Sequence, residues 1–212
     1  MTRIPFPEMK RGLVAILRGI RPDETDAIVD GLIGAGITAI EIPLNSPEPF
    51  KSIGQAVRRA PEGVLVGAGT VLTVADVDKL HDVGGRLVIS PNVDASVIAC
   101  SAGLGMVTMP GVFTPTEALA ACAAGASALK FFPASVLGPA GINAIRAVLP
   151  KDVPVGAVGG VSDADFPAYA KVGIRTFGLG SSLYKAGMSA DEVIRRGRAA
   201  VAAFDALGES TS

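Results

Sequence analysis

Short apolar runs recur along the chain at a regular interval. Each is followed by a turn signal and then by a stretch in which apolar residues return every three or four positions. The runs begin near Leu13, Ala39, Val64, Arg86, Met106, Ala128, Val153 and Thr176, and read LVAILRG, AIEIPL, VLVGAGT, RLVISP, MVTMPGV, ALKFFP, VPVGAVGG and TFGLGSS. They are apolar on both alternations, the pattern of strands covered on both faces. Between them the spacing is helical. Pro22-Asp23-Glu24 opens a stretch containing Ala27, Ile28, Leu32 and Ile33, and Thr114-Pro115-Thr116-Glu117 opens another containing Ala118, Leu119 and Cys122. Proline and acidic residues suit a first helical turn, where N–H groups are free and the dipole is positive. Gly34, Gly84, Gly103, Gly125 and Gly173 fall where helices are expected to stop.

Eight strand–helix units spaced by about 25 residues predict parallel strands joined by helical crossovers. An α/β protein with this repeat and 212 residues fits a single (β/α)8 TIM barrel spanning residues 1–212. Residues 1–10 and the GESTS tail are expected to be short flexible ends. The competing architecture is a doubly wound open sheet. It usually carries a G-x-G-x-x-G turn after its first strand, where this chain has Leu17-Arg18-Gly19-Ile20-Arg21-Pro22. The barrel is the better fit.

Composition narrows the chemistry. Nineteen Lys plus Arg balance twenty Asp plus Glu, a net charge of −1, which argues against a nucleic-acid partner. The longest near-apolar stretch, Ala118 to Leu129, has twelve residues, short of the roughly 18 that cross a bilayer. The N-terminal MTRIPFPEMKRG has two prolines and no apolar run, so no signal peptide is expected, and a cytoplasmic location follows. Cys100 and Cys122 read as reduced thiols. One histidine and two distant cysteines do not assemble a zinc or iron site, so no metal is expected. His81 lies in a polar stretch that reads as a solvated helix face. Lys, Glu, Asp, Arg and backbone groups are left to carry the chemistry.

In a barrel, function gathers at the C-terminal strand ends. Arg18 ends the first run, and Glu41 interrupts the second. Gly67-Ala68-Gly69-Thr70 closes the third, Ser90-Pro91-Asn92 the fourth and Pro110-Gly111 the fifth. Lys130 interrupts the sixth, Val158-Gly159-Gly160 closes the seventh, and Gly180-Ser181-Ser182 the eighth. A lysine flanked by Leu129, Phe131 and Phe132 loses hydration, which favours the neutral amine that attacks a ketone. Glu41 is the matching proton shuttle. The alternative is that Lys130 and Glu41 form a structural ion pair. Buried pairs contribute little net stability, which favours the catalytic reading. Arg18 reads either as a carboxylate clamp or as an ordinary surface arginine. Gly159, Gly160 and Gly180 leave backbone N–H groups open to an anion, with Ser181 adding a hydroxyl. Of Phe131 and Phe132, at most one is expected to meet a substrate. Arg195-Arg196-Gly197-Arg198 reads as the solvated face of the last helix.

The motifs LVAILRGI, AIEIPLNSP, VGAGTVL, ISPNVDASVI, ALKFFPAS, AVGGV and GLGSSLY together resemble those of the 2-keto-3-deoxy-6-phospho sugar-acid aldolases, from about Leu13 to Leu207 and in the same order. The resemblance implies a class I aldolase on a (β/α)8 barrel, a homotrimer, acting on a phosphorylated 2-oxo sugar acid. It implies no metal and no cofactor, a covalent Schiff base on lysine taking their place. By motif, Lys130 resembles the Schiff-base lysine and Glu41 the acid/base glutamate. Arg18, Thr70 and Pro91 resemble the residues around the pyruvyl carboxylate, and Phe132 and Val158 are expected among the substrate-binding residues. Gly159, Gly160, Gly180 and Ser181 resemble the phosphate-binding set. Asn45 stands where the gluconate branch has Arg, and Val158 where it has Thr, which points to the galactonate branch; Lys130-Phe131-Phe132-Pro133 looks more like the gluconate branch. Two rival readings are a barrel isomerase or synthase without a covalent intermediate, and a phosphosugar-binding sensor.

Overall fold

A computed structural model describes residues 3–208, and the last four residues of the tail lie outside it. The described residues contain nine β segments and eight α-helices. They run β1 (Gly12–Ile16), α1 (Pro22–Ala35), β2 (Ala39–Pro43), α2 (Pro49–Arg59), β3 (Leu65–Gly69), α3 (Val74–Asp82), β4 (Leu87–Ile89) and α4 (Ala95–Gly103). Then come β5 (Val107–Met109), β6 (Gly111–Val112), α5 (Pro115–Ala124), β7 (Leu129–Phe131), α6 (Ala134–Arg146), β8 (Val155–Val158), α7 (Phe166–Ala170), β9 (Thr176–Leu179) and α8 (Ala190–Asp205). No helix of the described residues is long and apolar enough to cross a membrane.

All strand pairs are parallel, in the order β5-β4-β3-β2-β1-β9-β8-β7-β6. The two ends of that order, β5 and β6, are joined through Pro110 alone. They are therefore two halves of one strand, through which the sheet closes into a barrel. Pro110 has no N–H to give a ladder, and this breaks the strand; its carbonyl still accepts from Lys130 N at 3.0 Å. Eight strand–helix units are present, one with a divided strand.

The helix signals act largely as the sequence suggests. Thr114 caps α5 by accepting from Glu117 N, Glu117 returns to the Thr114 backbone, and Pro115 occupies the first turn. Two expected stops move. Gly34 lies inside α1, and the left-handed residue that ends this helix is Gly36, at φ 99°. Gly103 is the last residue of α4, with Gly105 at φ 71° beyond it.

Two cores result from strand alternation. Leu13, Ala15, Ile40, Ile42, Val88, Leu129 and Phe131 face outward and pack under the helices. Val14, Ala39, Leu87, Ile89, Val107, Met109 and Ala128 form a separate cluster on the opposite, inner face. Ile4, Phe6 and Met9 pack against this inner cluster. Residues 3–10 therefore differ from the ragged end expected of them: their apolar side chains cover the N-terminal floor of the barrel.

Candidate active site

The inner face continues upward from that floor, and alternation fixes what it carries. Two positions above Ala39 stands Glu41, and two above Ala128 stands Lys130. Both long polar side chains therefore rise into the barrel's C-terminal mouth. Glycines make room for them. Lys130 is in register with Gly111 on one side and Gly156 on the other, and Glu41 with Gly67. A Cβ added at Gly69 would fall on the Glu41 carboxylate.

At the mouth is a cavity of about 430 Å³. Arg18, Glu41, Thr70 and Pro91 line it from the ends of β1 to β4. Lys130, Phe132 and Val158 come from β7 and β8, and the turns Gly159-Gly160 and Gly180-Ser181 complete the wall. All of the residues singled out from the sequence as a site are thus brought to one cavity. Phe131 faces the helices instead, fully buried. Asn45, which stands where the gluconate branch has Arg, is exposed and does not line the cavity. His81 is on α3, away from the cavity. The arginine run on α8 is tied up locally, with Arg195 and Arg196 bonded to Glu192 at 2.8 and 2.7 Å.

Sequence reasoning missed Ile16, Val161, Tyr184, Lys185 and Ala186, which also line the cavity. Ile16 was legible, since alternation from Val14 points it inward. The other four lie in irregular loops, where no period says which way a side chain turns.

The loops are cross-braced. Gly19 N donates to Ser46 Oγ at 2.9 Å, fixing the turn beside Arg18. Ser90 Oγ donates to the Val71 carbonyl at 2.8 Å, beside Thr70. Ser182 Oγ donates to the Val161 carbonyl at 3.0 Å, joining the two glycine turns. Thr70 itself has φ 57°, a left-handed conformation that a β-branched residue adopts at a cost of about 1–3 kcal/mol. Gly159 and Gly160 follow with φ 90° and 72°.

Burial dominates the electrostatics. Glu41 is 2% exposed, and its Oε2 has no hydrogen-bond partner. Desolvation pushes its carboxyl up to about 7, against the opposing pull of Lys130 and Arg18. Lys130 is 6% exposed, and burial lowers its pKa from the ordinary lysine value; Glu41 works against that shift, while the Arg18 charge adds to it. The Lys130 Nζ lies 4.8 Å from the centre of the Phe132 ring. No ion pair joins Lys130 to Glu41 among the described residues, so the purely structural pairing is not formed. Nor do the described residues hold a cluster of three or more His, Cys, Asp or Glu able to bind a metal ion. A lysine held toward its neutral form and a carboxyl titrating near neutrality, both facing one cavity, can form an imine and move a proton beside it.

Residues 8–204 match the family described as "Aldolase: KDPG and KHG aldolase". The chain belongs to that family. Among members of this aldolase family, it is 66% identical over 207 residues to a probable 2-dehydro-3-deoxy-6-phosphogalactonate aldolase of Rhizobium meliloti, covering 98% of each chain. It is 46% identical to the 2-dehydro-3-deoxy-6-phosphogalactonate aldolase of Escherichia coli K12, covering 93% of this chain and 96% of that one. A solved structure titled native KDPGal superposes with a TM-score of 0.92 at 45% identity, over 94% of this chain and 97% of the other.

Proposed function

We propose that this aldolase-family chain cleaves 2-dehydro-3-deoxy-6-phosphogalactonate to pyruvate and glyceraldehyde 3-phosphate, reversibly, through a Schiff base on Lys130. The observation that carries the reading is the joint burial of Lys130 and Glu41 on the inner face of one cavity. The neutral Lys130 amine attacks C2 of the 2-oxo acid, and loss of water gives an iminium. The Glu41 carboxylate removes the proton of the C4 hydroxyl. The C3–C4 bonding electrons move into the iminium, C4 leaves as the aldehyde, and an enamine remains. Protonation of that enamine at C3 and addition of water release pyruvate and restore the amine.

Arg18 pairs with the substrate carboxylate, with Thr70 and Pro91 flanking it. The turns at Gly159-Gly160 and Gly180-Ser181 receive the phosphate. Val158 meets the substrate as an apolar surface near C4, where the galactonate- and gluconate-derived substrates differ; its lack of a hydroxyl favours the galactonate form. The relatives at 66% and 46% identity support that choice through their names. The reading extends to a cytoplasmic homotrimer. Exposed Leu72, Val74, Phe113 and Val136, all beyond C-terminal strand ends, are apolar surface that a neighbouring copy can cover.

The test is intact mass after incubation with pyruvate and borohydride. One reduced pyruvyl adduct should appear, map to the peptide containing Lys130, and be absent with cleavage from Lys130→Ala. A folded Lys130→Ala protein that still cleaves substrate ends the Schiff-base reading. A parent that binds phosphosugars without forming the adduct is a binding barrel instead.

A further inference from the structure

The loop after β9 carries a cation that the aldol chemistry leaves unused. Lys185 lines the cavity, is exposed at its rim, and makes no ion pair among the described residues. It lies four residues beyond Ser181 in the same tight loop, in which Leu183 N and Tyr184 N both donate to the Gly180 carbonyl at 2.9 Å. Leu183 and Tyr184, which precede it, are buried. The Tyr184 hydroxyl reaches Glu24 Oε2 at 3.3 Å, and Arg196 Nη1 donates to the Ser182 carbonyl at 3.3 Å. The base of Lys185 is therefore anchored to α1 and α8 while its side chain remains free.

Charge decides what this arrangement suits. The charged residues of the cavity wall are Arg18, Glu41, Lys130 and Lys185. A phosphorylated 2-oxo acid brings a carboxylate and a phosphate of nearly two negative charges. Arg18 is matched to the carboxylate, and Lys130 reacts as a neutral amine. The glycine turns offer N–H dipoles but no net charge, and Glu41 is itself anionic when it acts as base. We propose that Lys185 is the substrate-binding cation that neutralises the phosphate, and so sets the preference for phosphorylated over unphosphorylated substrate. This rests on the reading of the cavity as a phosphosugar-acid aldolase site.

The experiment measures kcat/KM for the phosphorylated substrate and for its unphosphorylated analogue in the parent, Lys185→Met and Lys185→Arg. Losing a charge-assisted contact should lower the ratio of the two by about five- to fiftyfold in Lys185→Met, mainly through KM for the phosphorylated substrate. Lys185→Arg should keep most of the ratio. Rising ionic strength should erode the parent's ratio more than that of Lys185→Met. A Lys185→Met ratio equal to the parent's overturns the proposal and leaves the aldolase reading standing. A parent that forms the pyruvyl adduct yet shows no preference for the phosphorylated substrate overturns both the proposal and the phosphate assignment beneath it.

Discussion

Glu41 holds a carboxyl where neither water nor a donor reaches Oε2, and this gives it two opposite pH signatures. Its native pKa of about 7 stands above the ordinary value of 4.5, so the native state binds more protons than the unfolded chain between those values. Its contribution to stability is therefore favourable below pH 4.5 and is lost as pH rises to about 7. Glu41→Gln removes that cost. The variant should melt with the parent near pH 4 and above it at pH 8, by at most about 3 kcal/mol of stability in thermal or urea unfolding. Activity runs the other way. A base must be ionised, so the parent's kcat/KM should rise with pH through about 7, and Glu41→Gln should lose about 10²- to 10⁴-fold in kcat. A variant destabilised at pH 8 would contradict the burial argument. Val158 gives a subtler test. Val158→Thr adds a hydroxyl of nearly equal shape, worth about 0.5–1.5 kcal/mol. It should move the ratio of kcat/KM for the two C4 epimers toward the gluconate form by about three- to tenfold. A parent that already prefers the gluconate epimer refutes the substrate assignment and leaves the lyase chemistry untouched.

Strands and their alternation carried most of what the sequence disclosed. Lys130 and Glu41 were conspicuous because a charged residue inside an apolar run has few bland explanations. Their direction follows from counting by two from Ala128 and Ala39. The break at Pro110 was less legible, since a closing strand and an ordinary turn both tolerate proline. Gly34 misled as a helix stop because a glycine two residues short of the true C-cap carries the same signal. Tyr184 and Lys185 were invisible because their direction depends on a loop held by bonds from Leu183 N and Tyr184 N to the Gly180 carbonyl, which no periodicity encodes. Gly69 reads in the sequence only as part of the close of the third strand, whereas in the structure its missing side chain leaves the space that the Glu41 carboxylate occupies. Gly69→Ala should displace the Glu41 carboxylate. The expected result is a loss of about tenfold or more in kcat, together with an overpacking cost of about 1–3 kcal/mol in unfolding measurements. Full activity would mean that Glu41 can act from another position.

As a whole molecule, the barrel has one furnished end and one closed end. Light scattering should give a mass near three times 21.4 kDa, about 64 kDa, for the assembly. A charged residue at Val136 should reduce that mass if this surface is covered by a neighbour; an unchanged assembly would place the contact elsewhere. The closed end has its own consequence. Val14, Leu87, Ile89, Val107 and Met109 fill the bore beneath the lysine, and Ile4, Phe6 and Met9 pack against them from below. Traffic is therefore confined to a single doorway. The water that finally hydrolyses the bound pyruvyl group must arrive by the route the three-carbon aldehyde has just vacated. An aldehyde lingering in that doorway shields the enamine from water and favours recombination over hydrolysis. A largely apolar floor thus imposes a queue on the chemistry above it: aldehyde out, water in, pyruvate last.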